Sequence, residues 1–413
     1  MKNTAIFMVL MLAFNFTMPA QSAWVPQTSG TTNDLYGVFF LNNDYGYAVG
    51  DQGTILFTTD GGGYWTTQTS GTPTLILFSV FFTDSLNGIA VGGYHDITYT
   101  TGVIKRTMDG GTTWVEKATV PNNFLRSVYF IGDTGFVAGD DGSLLKTNDK
   151  GATWSTIPTG IMDDFYAVYF KDINEGFITG FTGTIRHTTD GGNTWTAQAS
   201  GTQNLLRAIA SKGNTCYTVG QRNMEGYNAP ILKTTNEGAN WAAQTSGINN
   251  DLLDIAFKGD IAYAVGGDIY GTGKIIKTNN GGANWTNDSI TLDRGTFLTS
   301  ICFPDEFTGY IVGWGGQIFK TQSLLDVQTP TTANTDLKIY PNPCKGKFRI
   351  SYNNPKHDLF ELKITDASGA EVFKKSSTED SYLYEGELFA KGVYVVSVRG
   401  ENIRQEGKLI VGF

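Results

Sequence analysis

The sequence predicts an all-β fold: a seven-bladed β-propeller followed by a small C-terminal β-sandwich. Three observations predict it. The phrase Thr-x-Asp-x-Gly-x-x-Trp, behind an apolar run, returns roughly every 40–50 residues, the period of a four-stranded propeller blade. Gly is abundant (51 of 413 residues), aromatics reach 13% and charged residues only 17%, a balance that suits a turn-rich secreted β protein and neither a helical nor a disordered one. Beyond Thr321 the repeats stop, and residues 337–413 hold 12 Lys and Arg against 10 Asp and Glu, where the rest of the chain holds 18 against 29.

Taken in order, residues 1–23 carry Lys2, an apolar stretch from Ala5 to Phe16 and small residues at Ala20 and Ala23. This is the pattern of a secretory signal peptide cleaved after Ala20 or Ala23. No other stretch is long and apolar enough to span a membrane. The net charge of −9 argues against nucleic acid and anionic membrane as partners.

Residues 24–325 form the repeat region. Each repeat reads as an apolar run, a turn, a second run ending in Gly (GYAVG at 46–50, GIAVG at 88–92, GYIVG at 309–313), a third strand, the Asp-Gly turn and a fourth strand near the Trp. The repeated phrase contributes Asp60 and Trp65, Asp109 and Trp114, Asp149 and Trp154, Asp190 and Trp195; Trp241 and Trp285 close weaker copies with Asn at the Asp position. The seventh copy breaks off after Thr321, and an orphan Trp24 precedes the first repeat. The N-terminal strand is therefore expected to complete the last blade, because an open ring leaves edge strands unpaired. In the turn, an Asp carboxylate accepts backbone N–H groups, Gly permits positive φ and the Trp packs between blades. Sevenfold repetition suits a structural clip better than a single active site.

The third-to-fourth-strand turns mark one face. The opposite face is where the repeats differ, and rigid scaffolds carry their function on such variable segments. Just before the innermost strands, a ring of Tyr36, Phe78, Arg126, Tyr166, Arg207, Leu253 and Thr299 is expected around the pore. Long connections between the second and third strands, at 92–102, 220–230 and 266–273, add His95, Asp96, Arg222, Glu225, Tyr227, Asp268 and Tyr270. That mixture suits carbohydrate, carboxylate or extended polypeptide. The alternative is that the ring only plugs the pore. Cys216, Cys302 and Cys344 are an odd number and far apart; buried free thiols are expected, with a Cys216–Cys302 disulfide as the other possibility.

The repeated phrase resembles the Asp-box of sialidase-type propellers. The fuller text, L-x-S-V-x-F, then G-x-x-V-G, then G-x-I-x-K-T-x-D-G-G-x-T-W, resembles propellers of the photosystem II stability and assembly factor type over about residues 24–325. That resemblance implies a seven-bladed, non-catalytic propeller that binds other proteins and carries arginines where the inner strand begins, a placement that Arg126 and Arg207 match. Only those two arginines stand at such positions, and Tyr36, Phe78 and Tyr166 fill others, so a binding role carries over and photosynthesis does not. Xyloglucanase-type glycoside hydrolases share the repeat text but place substrate between two propellers, whereas this chain has one.

Residues 322–336 are polar and Thr-rich and read as a linker, assigned to 326–336. Residues 337–413 read as about seven short alternating strands, a small sandwich of immunoglobulin-like kind. The phrases LKIYPNPCKGKFRI, LKITDASGAEVF, KGVYVVSV and GKLIV occur in that order. They resemble the type A sorting domain of the type IX secretion system of Bacteroidetes, matching at Tyr340, Pro341, Asn342, Pro343, Asp366, Gly369, Gly392, Tyr394 and Lys408. The resemblance implies export through the type IX machinery, removal of the domain by a sortase-like surface protease and attachment at the cell surface.

Scattered histidines (His95, His187, His357) form no metal spacing, and no phosphate loop, nucleophile elbow or dinucleotide fingerprint occurs. No cofactor or metal is expected. The expected role is a binding module for protein or polysaccharide. The alternatives are a glycoside hydrolase using Asp96 with Glu225 or Asp268, or an inert structural surface protein.

Overall fold

A computed structural model describes residues 24–95, 100–222, 229–268, 272–288, 295–321, 337–340, 342, 344, 347–352, 359–366, 371–385, 389–390, 392–400 and 404–411. The chain divides into two compact units, with the division between Gln322 and Ser323.

The first unit holds seven four-stranded antiparallel sheets. Their innermost strands are Leu35–Phe40, Ile76–Phe82, Leu125–Ile131, Phe165–Phe170, Leu205–Lys212, Asp251–Lys258 and Leu298–Cys302, and blades one to seven are numbered in that order. The orphan Trp24 sits where the sequence places it. Trp24–Gln27 pairs antiparallel with Gln317–Thr321, Trp24 opposite Thr321, and supplies the outer strand of blade seven. The first and last strands of the repeat region thus share one sheet, and the ring closes without a free edge at the seam.

The repeated Trp residues pack edge-on against aromatic rings of their own or the preceding blade. Trp65 meets Phe40, Trp114 meets Phe82, Trp195 meets Phe170 and Trp285 meets Tyr217, with centroids 5.6–5.9 Å apart and planes 84–89° apart. Trp24 makes the corresponding contact with Tyr263 at 6.4 Å. Edge-to-face pairs of this kind add to the area they bury.

The Asp turns are closed internally. Thr147 Oγ1 donates to Asp149 Oδ1 (2.6 Å) and accepts from the buried Gly151 N–H (3.0 Å), while Asp149 Oδ1 also accepts from Thr153 N–H (2.9 Å). Asp60, Asp109 and Asp190 repeat the arrangement, and Asn236 and Asn280 keep it with an amide oxygen. The Thr194 hydroxyl and backbone hold the Asp190 carboxyl down to about 2. A neighbouring blade grips several of these turns: Lys146 Nζ donates to Gly191 O, Lys233 Nζ to Gly281 O, and Lys320 Nζ and Tyr310 to Gly61 O.

Two expectations change. The 92–102 segment of blade two is mostly not loop: Gly88–His95 and Thr100–Thr107 pair throughout, up to His95 opposite Thr100, so the blade is prolonged as a hairpin. The ring residues lie inside the innermost strands rather than before them, for a reason given below. Cys216 and Cys302 are free thiols and form no disulfide with each other. Cys216 stands where five other blades have Gly, and it fits because Ser211 replaces the Phe ring that presses on those glycines, as Phe40 does on Gly46.

The second unit has a three-stranded sheet (Lys338–Tyr340, Phe348–Ser351, Ser381–Tyr384) and a four-stranded one (Glu371–Ser377, Phe360–Thr365, Gly392–Gly400, Arg404–Val411). Phe348 and Ile350 from one sheet and Leu362, Ile364, Val396 and Leu409 from the other share a core, the two-layer packing of a sandwich.

Candidate functional site: the bulged ring around the pore

In all seven innermost strands the pairing register slips by one residue. The slips fall between Leu35 and Gly37, Leu77 and Ser79, Leu125 and Ser127, Phe165 and Ala167, Leu206 and Ala208, Leu252 and Asp254, and Leu298 and Ser300. The skipped residues are Tyr36, Phe78, Arg126, Tyr166, Arg207, Leu253 and Thr299. A bulge leaves its extra residue unpaired and re-aims the side chain. Every ring residue is such an extra residue, and all seven line one cavity of about 860 Å³.

The bulge also explains the Gly that follows the apolar run of each second strand. It presses the inner strand's carbonyl against that position. A Cβ on Gly50, Gly92, Gly220 or Gly266 would stand 1.8–1.9 Å from the oxygen of Asp34, Ile76, Leu205 or Asp251. The requirement is close approach and not left-handed backbone.

The residue after that Gly bonds the ring residue in blades one, three and five. In blades one, three, four and seven a tight turn holds it, with φ of 54°, 51°, 52° and 68° at Gln52, Asp141, Thr182 and Gly315. Tyr36 donates to Asp51 Oδ2 (3.3 Å). Arg126 is held by Asp140 through two parallel bonds, Nε to Oδ1 (2.8 Å) and Nη2 to Oδ2 (2.9 Å). Arg207 Nε donates only to the neutral Gln221 Oε1 (2.9 Å). Trp314 stacks on Phe297 at 4.6 Å.

Aromatic and cationic groups then alternate around part of the mouth. Tyr36 and Phe78 are 5.5 Å apart; the Arg126 guanidinium lies 4.7 Å from Phe78 and 5.5 Å from Tyr166, and that of Arg207 lies 4.3 Å from Tyr166. Burial lowers the affinity of Arg207 for its proton. Burial raises the Tyr166 phenol, against the pull of Arg207 and Arg126. Near Tyr36, burial and then Asp34 raise the Asp51 carboxyl.

The second group of candidates behaves differently. Arg222 lies at the rim, its Nε donating to Asp251 Oδ1 (3.2 Å). Asp268 is occupied within its own loop: Oδ1 accepts from Thr272 N–H (3.1 Å), and Oδ2 accepts from Asn250 Nδ2 (3.2 Å) and the Thr272 hydroxyl. Asp96, Glu225, Tyr227 and Tyr270, and the side chain of His95, lie outside the described residues. Of the sorting-signal candidates, Tyr340 is exposed, Asp366 directly follows the strand Phe360–Thr365, Gly392 opens the strand Gly392–Gly400 and Tyr394 is buried, donating to Ala390 O (2.7 Å). Pro341, Pro343, Gly369 and the Lys408 side chain lie outside the described residues, while Asn342 is within them. Among the described residues no group of three His, Cys, Asp or Glu converges as a metal site.

Asp51, Asp140 and Gln221 did not figure among the sequence candidates, although they hold Tyr36, Arg126 and Arg207. The signal for them is positional, the residue just after each second-strand Gly.

Fold and site together define a closed seven-bladed propeller with a bulged aromatic and arginine ring at one mouth. Comparison with known proteins gives that class its particulars. Residues 73–162 match the family described as photosynthesis system II assembly factor YCF48, and residues 338–412 match the secretion system C-terminal sorting domain. The photosystem II assembly protein Ycf48 of Thermosynechococcus vestitus is 28% identical over 142 residues, 31% of this chain and 37% of that protein. The chain thus matches little more than a third of that relative's length. Among solved structures, YCF48 bound to D1 peptide superposes with a TM-score of 0.57 at 18% identity, covering 74% of this chain and 98% of that one. The GH74 xyloglucanase from Xanthomonas campestris superposes with a TM-score of 0.57 at 15% identity, covering 81% and 60%. At such identities the structural likeness is one of fold. The chain is an assembly-factor-like propeller joined to a C-terminal sorting domain, which marks it as cargo of type IX secretion, delivered to the medium or the cell surface.

Proposed function

We propose that the propeller is a binding module for an extracellular protein or polysaccharide, which it receives at the ringed mouth, with Arg207 taking a carboxylate of the ligand. The observation that carries this reading is the unequal state of the two arginines. Asp140 already neutralises Arg126 and occupies two of its nitrogens. Arg207 has a neutral partner at Nε alone, and its terminal nitrogens have no hydrogen-bond partner among the described residues. A half-buried guanidinium with an unused fork, stacked on Tyr166, matches a carboxylate in shape and charge. That a propeller of this fold has been solved with a peptide bound favours polypeptide over glycan.

On this reading residues 1–23 direct the chain out of the cytoplasm, and the module 337–413, after the linker 326–336, routes it across the outer membrane. A sortase-like surface protease then removes the sorting domain and leaves the propeller at the surface.

The test is titration of the full chain with extended peptides bearing free or amidated C-termini, and with acidic and neutral oligosaccharides. Carboxylate-bearing ligands are expected to bind, to weaken about tenfold or more in Arg207→Gln, as loss of a charge-assisted pair implies, and to strengthen in Asp140→Asn, which uncovers the second guanidinium. Equal binding by wild type and Arg207→Gln would refute the reading. The hydrolase alternative rests on Asp96 with Glu225 or Asp268; of these only Asp268 is among the described residues, and both of its oxygens are hydrogen-bonded.

A further inference from the structure

The channel beneath Arg207 differs from the channel beneath Arg126. Three residues beyond the ring, the innermost strands carry Phe39, Phe81, Tyr129 and Tyr169 in blades one to four but Ala210 and Ala256 in blades five and six. The four aromatics touch in succession, with centroids 4.8, 5.4 and 5.1 Å apart, and form a continuous apolar wall. Ala208, Ala210 and Ala256 line the same cavity as Arg207 and this wall. Three strand residues span about 10 Å, so this level lies well inside the mouth. The Tyr169 hydroxyl is taken up by Ser211, accepting from its Oγ (3.0 Å) and donating to its carbonyl (3.4 Å). Blade three, in contrast, carries the bulk of Tyr129 at this level under a guanidinium already neutralised by Asp140.

We propose that the site takes a carboxylate bearing an apolar branch, aryl or branched alkyl, and that the branch enters the channel below Arg207 to pack against Ala210, Ala256 and Tyr169. This rests on the reading of Arg207 as the carboxylate receptor. It adds that the ligand inserts an end into the pore instead of lying across the face. Small residues on two adjacent blades open the space, methyl groups and ring faces make it favourable for apolar groups, and the unused guanidinium fork stands at its entrance.

The experiment is calorimetric titration of the full chain with acetate, 3-phenylpropionate and 3-phenylpropan-1-ol. Burying the phenyl group is expected to make 3-phenylpropionate bind at least about tenfold tighter than acetate, with the alcohol weaker than the acid. Ala210→Phe installs the residue type that blades one and two already carry at this level. It is expected to abolish the preference for the aryl acid while acetate binding stays as in wild type. Ala256→Leu repeats the comparison from the next blade should the first variant unfold. Equal affinity of wild type for the two acids, or a preference that survives both substitutions, would overturn insertion while leaving the carboxylate reading intact. Failure of both acids to bind would bring down the reading of Arg207 and this inference with it.

Discussion

At the residue scale, identity matters less than partner. Arg126 and Arg207 occupy equivalent bulges, yet one faces a carboxylate and the other an amide, so among the described residues only Arg126 is ion-paired. Asp254 shows the same logic one residue past the ring. Blades two, three and seven have Ser there, and its hydroxyl accepts a backbone N–H of the next blade: Ser79 from Val128, Ser127 from Val168 and Ser300 from Val38. Asp254 Oδ2 accepts from Ile301 N–H (2.9 Å) and Ser300 Oγ (2.8 Å), and its Oδ1 takes the Ile255 N–H (2.8 Å), for which Ala208 in the preceding blade offers no hydroxyl. Burial, opposed by these three bonds, raises the Asp254 carboxyl from 3.8 to about 6. The folded chain therefore holds this proton more tightly than the unfolded chain. The associated stability is full below 3.8 and is lost as pH rises through about 6. Asp254→Ser keeps the link to Ile301 and removes the titration. Its melting temperature, compared with that of wild type across this window, should rise relative to wild type as pH increases; parallel profiles would contradict the assignment.

At the scale of the element, the bulge organises the blade. It turns one side chain into the pore and forces a Gly on the paired strand, and in blades one, three and five the residue after that Gly bonds the ring residue. Gly220→Ala tests the linkage, because the new Cβ would stand 1.8 Å from Leu205 O. Since the clash is with backbone, a cost of about 1–3 kcal/mol or more is expected. A urea midpoint unchanged from wild type would show that the strand relaxes freely and that the bulge does not dictate the Gly. The Asp turn is a second self-contained unit: Asn236 and Asn280 accept the same N–H bonds as Asp149, so the carboxylate charge is not what the clip requires.

At the scale of the whole molecule, stability depends on closing the ring. Trp24 is 2% exposed, packs on Tyr263 and Phe303, and donates from its indole to Asp288 Oδ2 (3.1 Å), while Asp288 Oδ1 accepts from Lys277 Nζ (2.7 Å). The seventh repeat has no Trp after its Thr321, and Trp24 supplies the edge-on contact that the repeated Trp residues make elsewhere. Trp24→Ala is expected to cost about 3–5 kcal/mol, as truncation of a buried Trp does, with Gln317–Thr321 becoming a weakly held edge. Denaturant unfolding checks it, and a change under about 0.5 kcal/mol, typical of a surface site, would mean that the seam closes without this strand.

Repetition made the blades legible in the sequence: the spacing of Trp65, Trp114, Trp154 and Trp195, the recurring Gly and the orphan Trp24 specify seven sheets and a shared last one, because each strand buries its apolar face only against a neighbouring copy. The ring was legible as a register position, since Tyr36 through Thr299 fall at one point of the repeat. The sorting module was legible as phrases. Tertiary structure alone decided what those positions do. The extra residue of a bulge looks like any other residue until the partner strand shows the slip, and the extended hairpin of blade two looks like a loop until Gly88–His95 and Thr100–Thr107 pair. The charge of Arg207 counts because Gln221, fourteen residues away across a turn, is not Asp. Local pattern determines which strands form, through burial and hydrogen bonding among neighbours in the chain. The chemistry of the pore is set by contacts between strand ends and between blades, and these depend on distances that no repeat period encodes.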